Sequence, residues 1–303
     1  MRRELKLAIG LVIALILLVW AFKDVDFGSL GRALGSARLT WIGVAVLSVG
    51  LSVAFVVWRW WLLLDRPTLG DRSEPPWLVM WHATLAAQVA NIIVPFRLGD
   101  SVRIVAASQA LGLGPARAAS AAVIERLADA TTVAVIGAAL VFTNAVPDWA
   151  RAALVRNSWV VAALVVAVLL ALGIVAWFGA RRIKVLPSSS ALRWALLASL
   201  AVTASSALTN LLVMRAFDLP VPASTALLLL VVLQAGTSIV AVPGGLGVSQ
   251  VLTIKTLAIW HVAPADALAF SLVLYAVARM PKLLLLPFAM AAVGRQATKA
   301  AGA

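Results

Sequence analysis

Few residues in this chain could do chemistry, and they fall into three groups. Glu125, Arg126 and Asp129 stand inside a long apolar run. Glu125 and Asp129, four apart, share a helical face, and Arg126, three before Asp129, can pair with it. If that helix begins near Ala116, a rise of about 1.5 Å per residue sets Glu125 roughly 13 Å in. A charge at the centre of a membrane helix costs roughly 2.5–3.5 kcal/mol on insertion scales, so such residues need a partner or a purpose. The cluster is either a buried salt bridge that holds the bundle or part of a headgroup or proton path. Arg97, Asp100 and Arg103 form the second group, spaced by three after Pro95. A carboxylate suits the first turn of a helix, and two guanidiniums beside a helix N-terminus make a phosphate cradle. The competing reading is two arginines that simply face the cytoplasm. The third group is the tip Pro243-Gly244-Gly245-Leu246-Gly247, followed by Ser249 and Gln250. Its glycines serve positive φ or close backbone approach, and its amides can form an uncharged anion nest.

Weaker signals surround these. Gln88, Asn91 and Gln234 are polar groups within apolar segments and either meet substrate or bond neighbouring helices. Arg59, set among Trp58, Trp60 and Trp61, reads as an interfacial anchor whose guanidinium snorkels to water. Arg279 and Lys282 flank Pro281 in the last apolar run. Lys282 can snorkel to the cytoplasm, whereas Arg279 is committed to the interior. Neither G-x-x-x-x-G-K-[ST] nor H-E-x-x-H nor G-x-S-x-G is present, so nothing points to ATP hydrolysis, zinc-dependent proteolysis or a serine nucleophile.

The elements that must position these groups are membrane helices. Of the 303 residues, 63% are hydrophobic and only 12% charged, and mean hydropathy is +1.03. That balance belongs to a polytopic membrane protein. There is no cysteine, and His82 and His261 are the only histidines, so neither a thiolate metal site nor a His-rich one is expected. The net charge of +13 follows from lysine and arginine held on the cytoplasmic side, with some attraction to anionic headgroups, and does not call for nucleic acid. Apolar runs cover about 5–22, 41–64, 77–96, 118–144, 157–179, 191–217, 224–242, 249–261 and 264–290, with a polar stretch at 97–116. The first run lacks a cleavage site and reads as an uncleaved helix starting in the cytoplasm. Most tryptophans lie near run ends, as interface aromatics do.

Pro95-Phe96-Arg97-Leu98-Gly99-Asp100-Ser101 and Pro243-Gly244-Gly245-Leu246-Gly247-Val248-Ser249 share Pro, Leu, Gly and Ser at equal offsets, 148 positions apart. The same shift lays the spans of one half on those of the other. Basic residues at the N-terminus and at Arg181, Arg182 and Lys184 set both regions inside, which leaves 77–116 and 223–261 each starting and finishing on one side. The expected fold is therefore an all-α polytopic membrane protein with an inverted-topology repeat, about six full transmembrane helices plus two re-entrant helical hairpins. One integral membrane domain spans 1–303, with repeats at about 1–148 and 149–296, a short tail at 297–303, and both termini cytoplasmic.

Taken in order, Asn91-x-x-x-Pro95-x-Arg97-x-Gly99-Asp100-x-x-Arg103, Glu125-Arg126-x-x-Asp129 and Pro243-Gly244-Gly245-x-Gly247-x-x-Gln250 resemble the lysylphosphatidylglycerol synthase transmembrane-region family. That family includes the flippase half of the bacterial multiple peptide resistance factor and many stand-alone proteins. The resemblance covers nearly the whole chain. It implies an inner-membrane protein, not an enzyme, that binds and flips an anionic or polyprenyl-phosphate-linked lipid and needs no cofactor. Asn91, Pro95, Arg97, Gly99, Asp100, Arg103, Pro243, Gly244, Gly245, Gly247 and Gln250 would contact that lipid. Glu125, Arg126, Asp129 and Arg279 would couple or gate. The family usually has Glu at the position of Asp100 and often at that of Gln250. The sequence ends soon after the last span, so the resemblance implies the lipid-handling part and not the aminoacyl-transferase domain. A regulatory or non-catalytic subunit of a lipid-modifying transferase is the alternative. Anionic lipids, a membrane-bound lipid-modifying or glycan-assembly enzyme, and a second copy of the chain are the expected partners.

Overall fold

The computed structural model describes residues 2–23, 25–64, 76–93, 99–140, 188–239 and 242–301. Among these the chain is helical throughout. In chain order the helices are α1 (Arg2–Phe22), α2 (Phe27–Ser36), α3 (Leu39–Leu63), α4 (Pro76–Ile93), α5 (Gly99–Leu111), α6 (Pro115–Leu140), α7 (Ser189–Ala216), α8 (Thr225–Ile239), α9 (Val248–Leu257) and α10 (Pro264–Ala301). A 3₁₀ turn at Pro243–Gly245 joins α8 to α9, and another at Ala258–Trp260 follows α9. The run expected at 157–179, the loop 145–156, the basic cluster at 181–184 and the first break, 94–98, lie outside the described residues. The expected tail is helical as far as Ala301.

Local signals explain the boundaries. Proline opens α4, α6 and α10, where its missing N–H would be unbonded anyway and its fixed φ suits the first turn. Asp26 caps α2 through the Ser29 amide at 2.7 Å, and Ser188 caps α7 through the Ala191 amide at 3.2 Å. Among the described residues three helices are long and apolar enough to cross a membrane: Leu39–Leu63, Ser190–Ala216 and Pro264–Pro287. Their outward faces carry large apolar side chains in the open, such as Leu47, Leu51, Leu197, Leu200 and Leu284, as a lipid-facing surface should. α6, the run in which Glu125, Arg126 and Asp129 were singled out, also carries Arg117 and must neutralise these charges inside the bundle.

Packing is ordered around α3 and α7, the most extensive helix pair. α4 pairs with α5 as one hairpin and α8 with α9 as another. α3 packs on α4 and α7 on α8; α5 packs on α6 and α9 on α10. The two groups also exchange partners, since α4 lies against α10 and α6 against α8. Each of α7 to α10 begins within two residues of the position 148 beyond the start of α3 to α6. The main apolar core, with Ala45, Val213, Leu229, Leu257 and Phe270 at no exposure, sits where α3, α7, α8, α9 and α10 converge.

Candidate functional site

Among the described residues the helices line a large cavity of about 690 Å³. Its walls are stripes at helical spacing. α4 contributes Thr84, Ala87, Gln88, Asn91 and Ile92, and α10 contributes Ser271, Leu274, Tyr275, Ala278, Arg279 and Lys282. Steps of three and four residues keep such side chains on one face. α3 adds Arg59, α5 Asp100 and Arg103, α6 Glu125, Arg126 and Asp129, and α7 Ser206, Thr209 and Asn210. The end of the first hairpin arm and the second tip meet here. A Cβ at Gly244 would lie 3.1 Å from the carbonyl oxygen of Ile92 and 2.7 Å from the Tyr275 hydroxyl.

Six charged side chains on one wall alternate in sign. Asp129 accepts from Arg59 Nη1 at 2.5 Å, and Glu125 accepts from Arg59 Nη2 at 2.5 Å. Arg103 Nη2 donates to the other Glu125 oxygen, and Nη1 to the first at 3.3 Å. Arg103 also lies 3.9 Å from Asp100, and Asp100 accepts from Arg126 Nε at 3.0 Å and Nη2 at 2.5 Å. The order Asp129, Arg59, Glu125, Arg103, Asp100, Arg126 is a neutral chain of three cations and three anions. Ser199 of α7 accepts from Arg59 at 2.9 Å. The Trp60 ring lies under the Arg103 guanidinium, 4.2 Å from its centroid. Arg59 and Glu125 have side chains only 1% and 4% exposed, so the network tolerates burial because every charge has an opposite neighbour.

Two expectations are corrected by this geometry. Arg59 is not a snorkelling anchor. It is buried at the centre of the network, and its neighbour Trp60 is fully buried too. Arg126 does not pair with Asp129; it reaches across to Asp100 on α5, while Arg59 takes Asp129. In both cases the partner comes from another helix. Arg103, foreseen as a phosphate ligand, has both terminal nitrogens bonded to Glu125, and the helix stacks it on Trp60. Pro95 and Arg97 lie outside the described residues.

Asn91 and Gly99 hold the start of α5. The Asn91 side-chain oxygen accepts the Gly99 amide at 2.8 Å. Gly99 must be glycine, because a Cβ there would sit 2.0 Å from the Ala87 carbonyl oxygen. At the second tip the φ angles of Gly244, Gly245 and Gly247 are all positive, as foreseen. Three of the tip's amides, however, are already bonded within the tip. Gly245 donates to Val242, Leu246 to Pro243, and Gly247 to the Gln250 side-chain oxygen at 2.8 Å. Gln250 also accepts from Ser249 and is fully buried. It acts as a cap on α9, a task for an oxygen acceptor that needs no charge. Gly247 faces α1, where a Cβ would meet the Ala14 carbonyl oxygen at 2.7 Å. Of the second tip, Gly244 and Gly245 line the cavity, and Gly244 presents its carbonyl to Arg279 at 2.6 Å.

The residues that sequence reasoning missed or underread are Arg59, Trp60, Tyr275 and Lys282. One signal was available for Arg59: Glu125 and Asp129 share a face with a single adjacent arginine, which leaves an anion without a cation. Among the described residues no group of three or more His, Asp or Glu side chains could hold a metal ion.

The family model described as lysylphosphatidylglycerol synthase TM region matches residues 7–285. A comparison with curated proteins finds no match.

Proposed function

The chain belongs to the lysylphosphatidylglycerol synthase transmembrane-region family, and from that premise we propose that it is a multi-pass membrane protein, not an enzyme, which binds an anionic lipid and moves it between leaflets. Its architecture in this reading is an inverted-topology repeat, with α4–α5 and α8–α9 as re-entrant hairpins and both termini cytoplasmic. The matched starts of α3–α6 and α7–α10 support a repeat. So does the packing: each substantial contact among these eight helices has a counterpart in the other half, with α3 against α7 as the self-matched pair. Inverted repeats with broken helices carry their substrate at the interface between halves.

The observation that carries the functional reading is the cavity itself. It lies between the two hairpins, receives side chains from both halves, and is lined by eight charged residues. A bundle built only as a scaffold gains nothing from an open, charge-lined interior of this size, because each charge carries a desolvation cost. An anionic headgroup entering sideways from the bilayer would meet hydrogen-bond donors within, while its acyl chains stay in lipid.

The test is exchange of a labelled anionic lipid between leaflets of protein-containing and protein-free vesicles. Ser206→Trp places a bulky ring in the cavity without touching the charge network, and Leu197→Trp adds the same ring on the exposed face. Exchange accelerated by the protein, abolished by the first variant and retained by the second, is the expected result. Equal exchange with and without protein, across several anionic lipids, would leave the scaffold.

A further inference from the structure

Three elements meet at Gly244. A Cβ there would lie 2.7 Å from the Tyr275 hydroxyl of α10 and 3.1 Å from the Ile92 carbonyl oxygen at the end of α4. The second tip, the last helix and the first hairpin are thus in contact at one residue. Two side chains of α10 grip this point. Tyr275 and Arg279 are four apart and share a helical face. The Arg279 guanidinium lies on the Tyr275 ring, 3.8 Å from its centroid, and donates through Nη2 to the Gly244 carbonyl at 2.6 Å. A Cβ on Gly245 would stand 3.8 Å from the same nitrogen. The ring fixes where the guanidinium points. A long side chain without such a platform spreads over many rotamers, and a stacked one loses less freedom when it forms its hydrogen bond.

This grip differs in kind from the charged network on α3, α5 and α6. There Arg59, Glu125 and Arg103 each make two or more bonds to charged partners, and breaking a buried pair strands a charge. Arg279 holds the tip through a neutral carbonyl, a bond that water or a headgroup oxygen can replace. Two features add a joint at the same place. Pro281 lies within α10 and has no N–H, so the Val277 carbonyl loses its helical partner in the turn that carries Arg279. The tip itself has glycine at 244, 245 and 247, so little side-chain packing is lost when its backbone shifts.

We propose that Tyr275 is a positioning residue: it holds Arg279 on Gly244 as a latch between α10 and the second tip, and this latch must release before a headgroup passes between the hairpins. The inference rests on the reading of the cavity as a lipid path. The hairpins are closed on each other where Gly244 meets Ile92, and a tip tied to α10 cannot draw back from that contact. The charged network is then the fixed side of the path and the α10–tip junction the moving side.

The chain contains one tyrosine, so incorporation of 3-fluorotyrosine gives a single fluorine resonance, at the latch itself. The full-length protein is measured in nanodiscs of phosphatidylglycerol and phosphatidylethanolamine. Saturation swept across the fluorine spectrum of the wild-type protein should reveal a minor, released state, at the shift that Arg279→Gln shows as its main signal. The sweep needs no variant, so a misfolded Arg279→Gln cannot shelter the proposal. Absence of any minor state would show a permanent strut and overturn it. The second arm is leaflet exchange of labelled phosphatidylglycerol. Tyr275→Phe keeps the ring face and should match the wild-type rate. Tyr275→Leu removes it and should accelerate exchange about fivefold, the weight of one cation–π contact. A ring that only fills space would, once cut back to leucine, lower the melting temperature and leave exchange unchanged or slower, and that result would also overturn the proposal. A minor state without protein-driven exchange would sink translocation and leave the latch. Protein-driven exchange with no minor state would do the reverse.

Discussion

Replacing Glu125 by glutamine is the sharpest perturbation the structure offers. The side chain keeps its shape, so no cavity opens, and only charge changes. Glu125 sits between two guanidiniums, bonded to Arg59 at 2.5 Å and to Arg103 through its other oxygen. Without its charge the network holds three cations and two anions. The glutamine amide must also turn a donor toward one arginine, which is itself a donor. Breaking a buried pair by removing one partner costs about 3–5 kcal/mol, because the stranded charge stays buried. That is a large share of a total stability of about 5–15 kcal/mol. The measurement is unfolding in mixed micelles, titrated with denaturing detergent. The same titration on Arg103→Gln and on the double variant completes a cycle. Removing both charges restores neutrality, so the double variant should lose less than the sum of the singles, by about 1–3 kcal/mol. A loss for Glu125→Gln within about 0.5 kcal/mol, the range of a surface substitution, would refute the claim that the network is buried and paired. Strict additivity would refute the pairing of Glu125 with Arg103.

Two further outcomes follow from geometry. Gly99→Ala drives a Cβ to 2.0 Å from the backbone of Ala87. It should destabilise the protein by about 1–3 kcal/mol or more, as overpacking against rigid backbone does, and lower the melting temperature; an unchanged melting temperature would show that α4 and α5 are not held this closely. The chain has no cysteine, so single cysteines report topology cleanly. Labels at positions 70 and 184 should react from the cytoplasm and those at 148 and 221 from outside, and an external 184 would contradict the inverted repeat.

The sequence disclosed the breaks and the charged residues better than it disclosed their partners. Gly99, Pro243 and Gly244 are legible because proline and glycine act through their own backbone. Glu125 and Asp129 are legible because any charge at that depth must be explained. Pairing depends on how each helix is rotated and on what approaches it, and no short-range pattern encodes that. Arg126 beside Asp129 is the pair that spacing suggests, yet the partner of Asp129 is Arg59, seventy residues away. The tryptophans around Arg59 pointed to an interface and hid its burial. Gln250 was placed among the lipid contacts, because its capping bond to Gly247 exists only once the tip has closed. α2 went unseen: its ten residues include Gly28, Gly31 and Gly35, which lower helix propensity, and it is far too short to span.

The exchange of partners between the halves has a consequence for how the molecule is made. The six-charge network lies wholly within residues 59–129, so its charges can neutralise one another as soon as α6 has emerged. The first arm of the hairpin, α4, has no such early closure on its other side. α4 rests against α10, whose first residue is Pro264. At translation rates of about 5–20 residues per second, α4 waits roughly ten to thirty seconds for that surface. Through that interval a polar cap, Asn91 on Gly99, stands in or beside the bilayer without its final cover. A nascent chain stalled before α10 would therefore hold a neutral but half-clad intermediate. Quality control in the membrane would meet this protein at that stage.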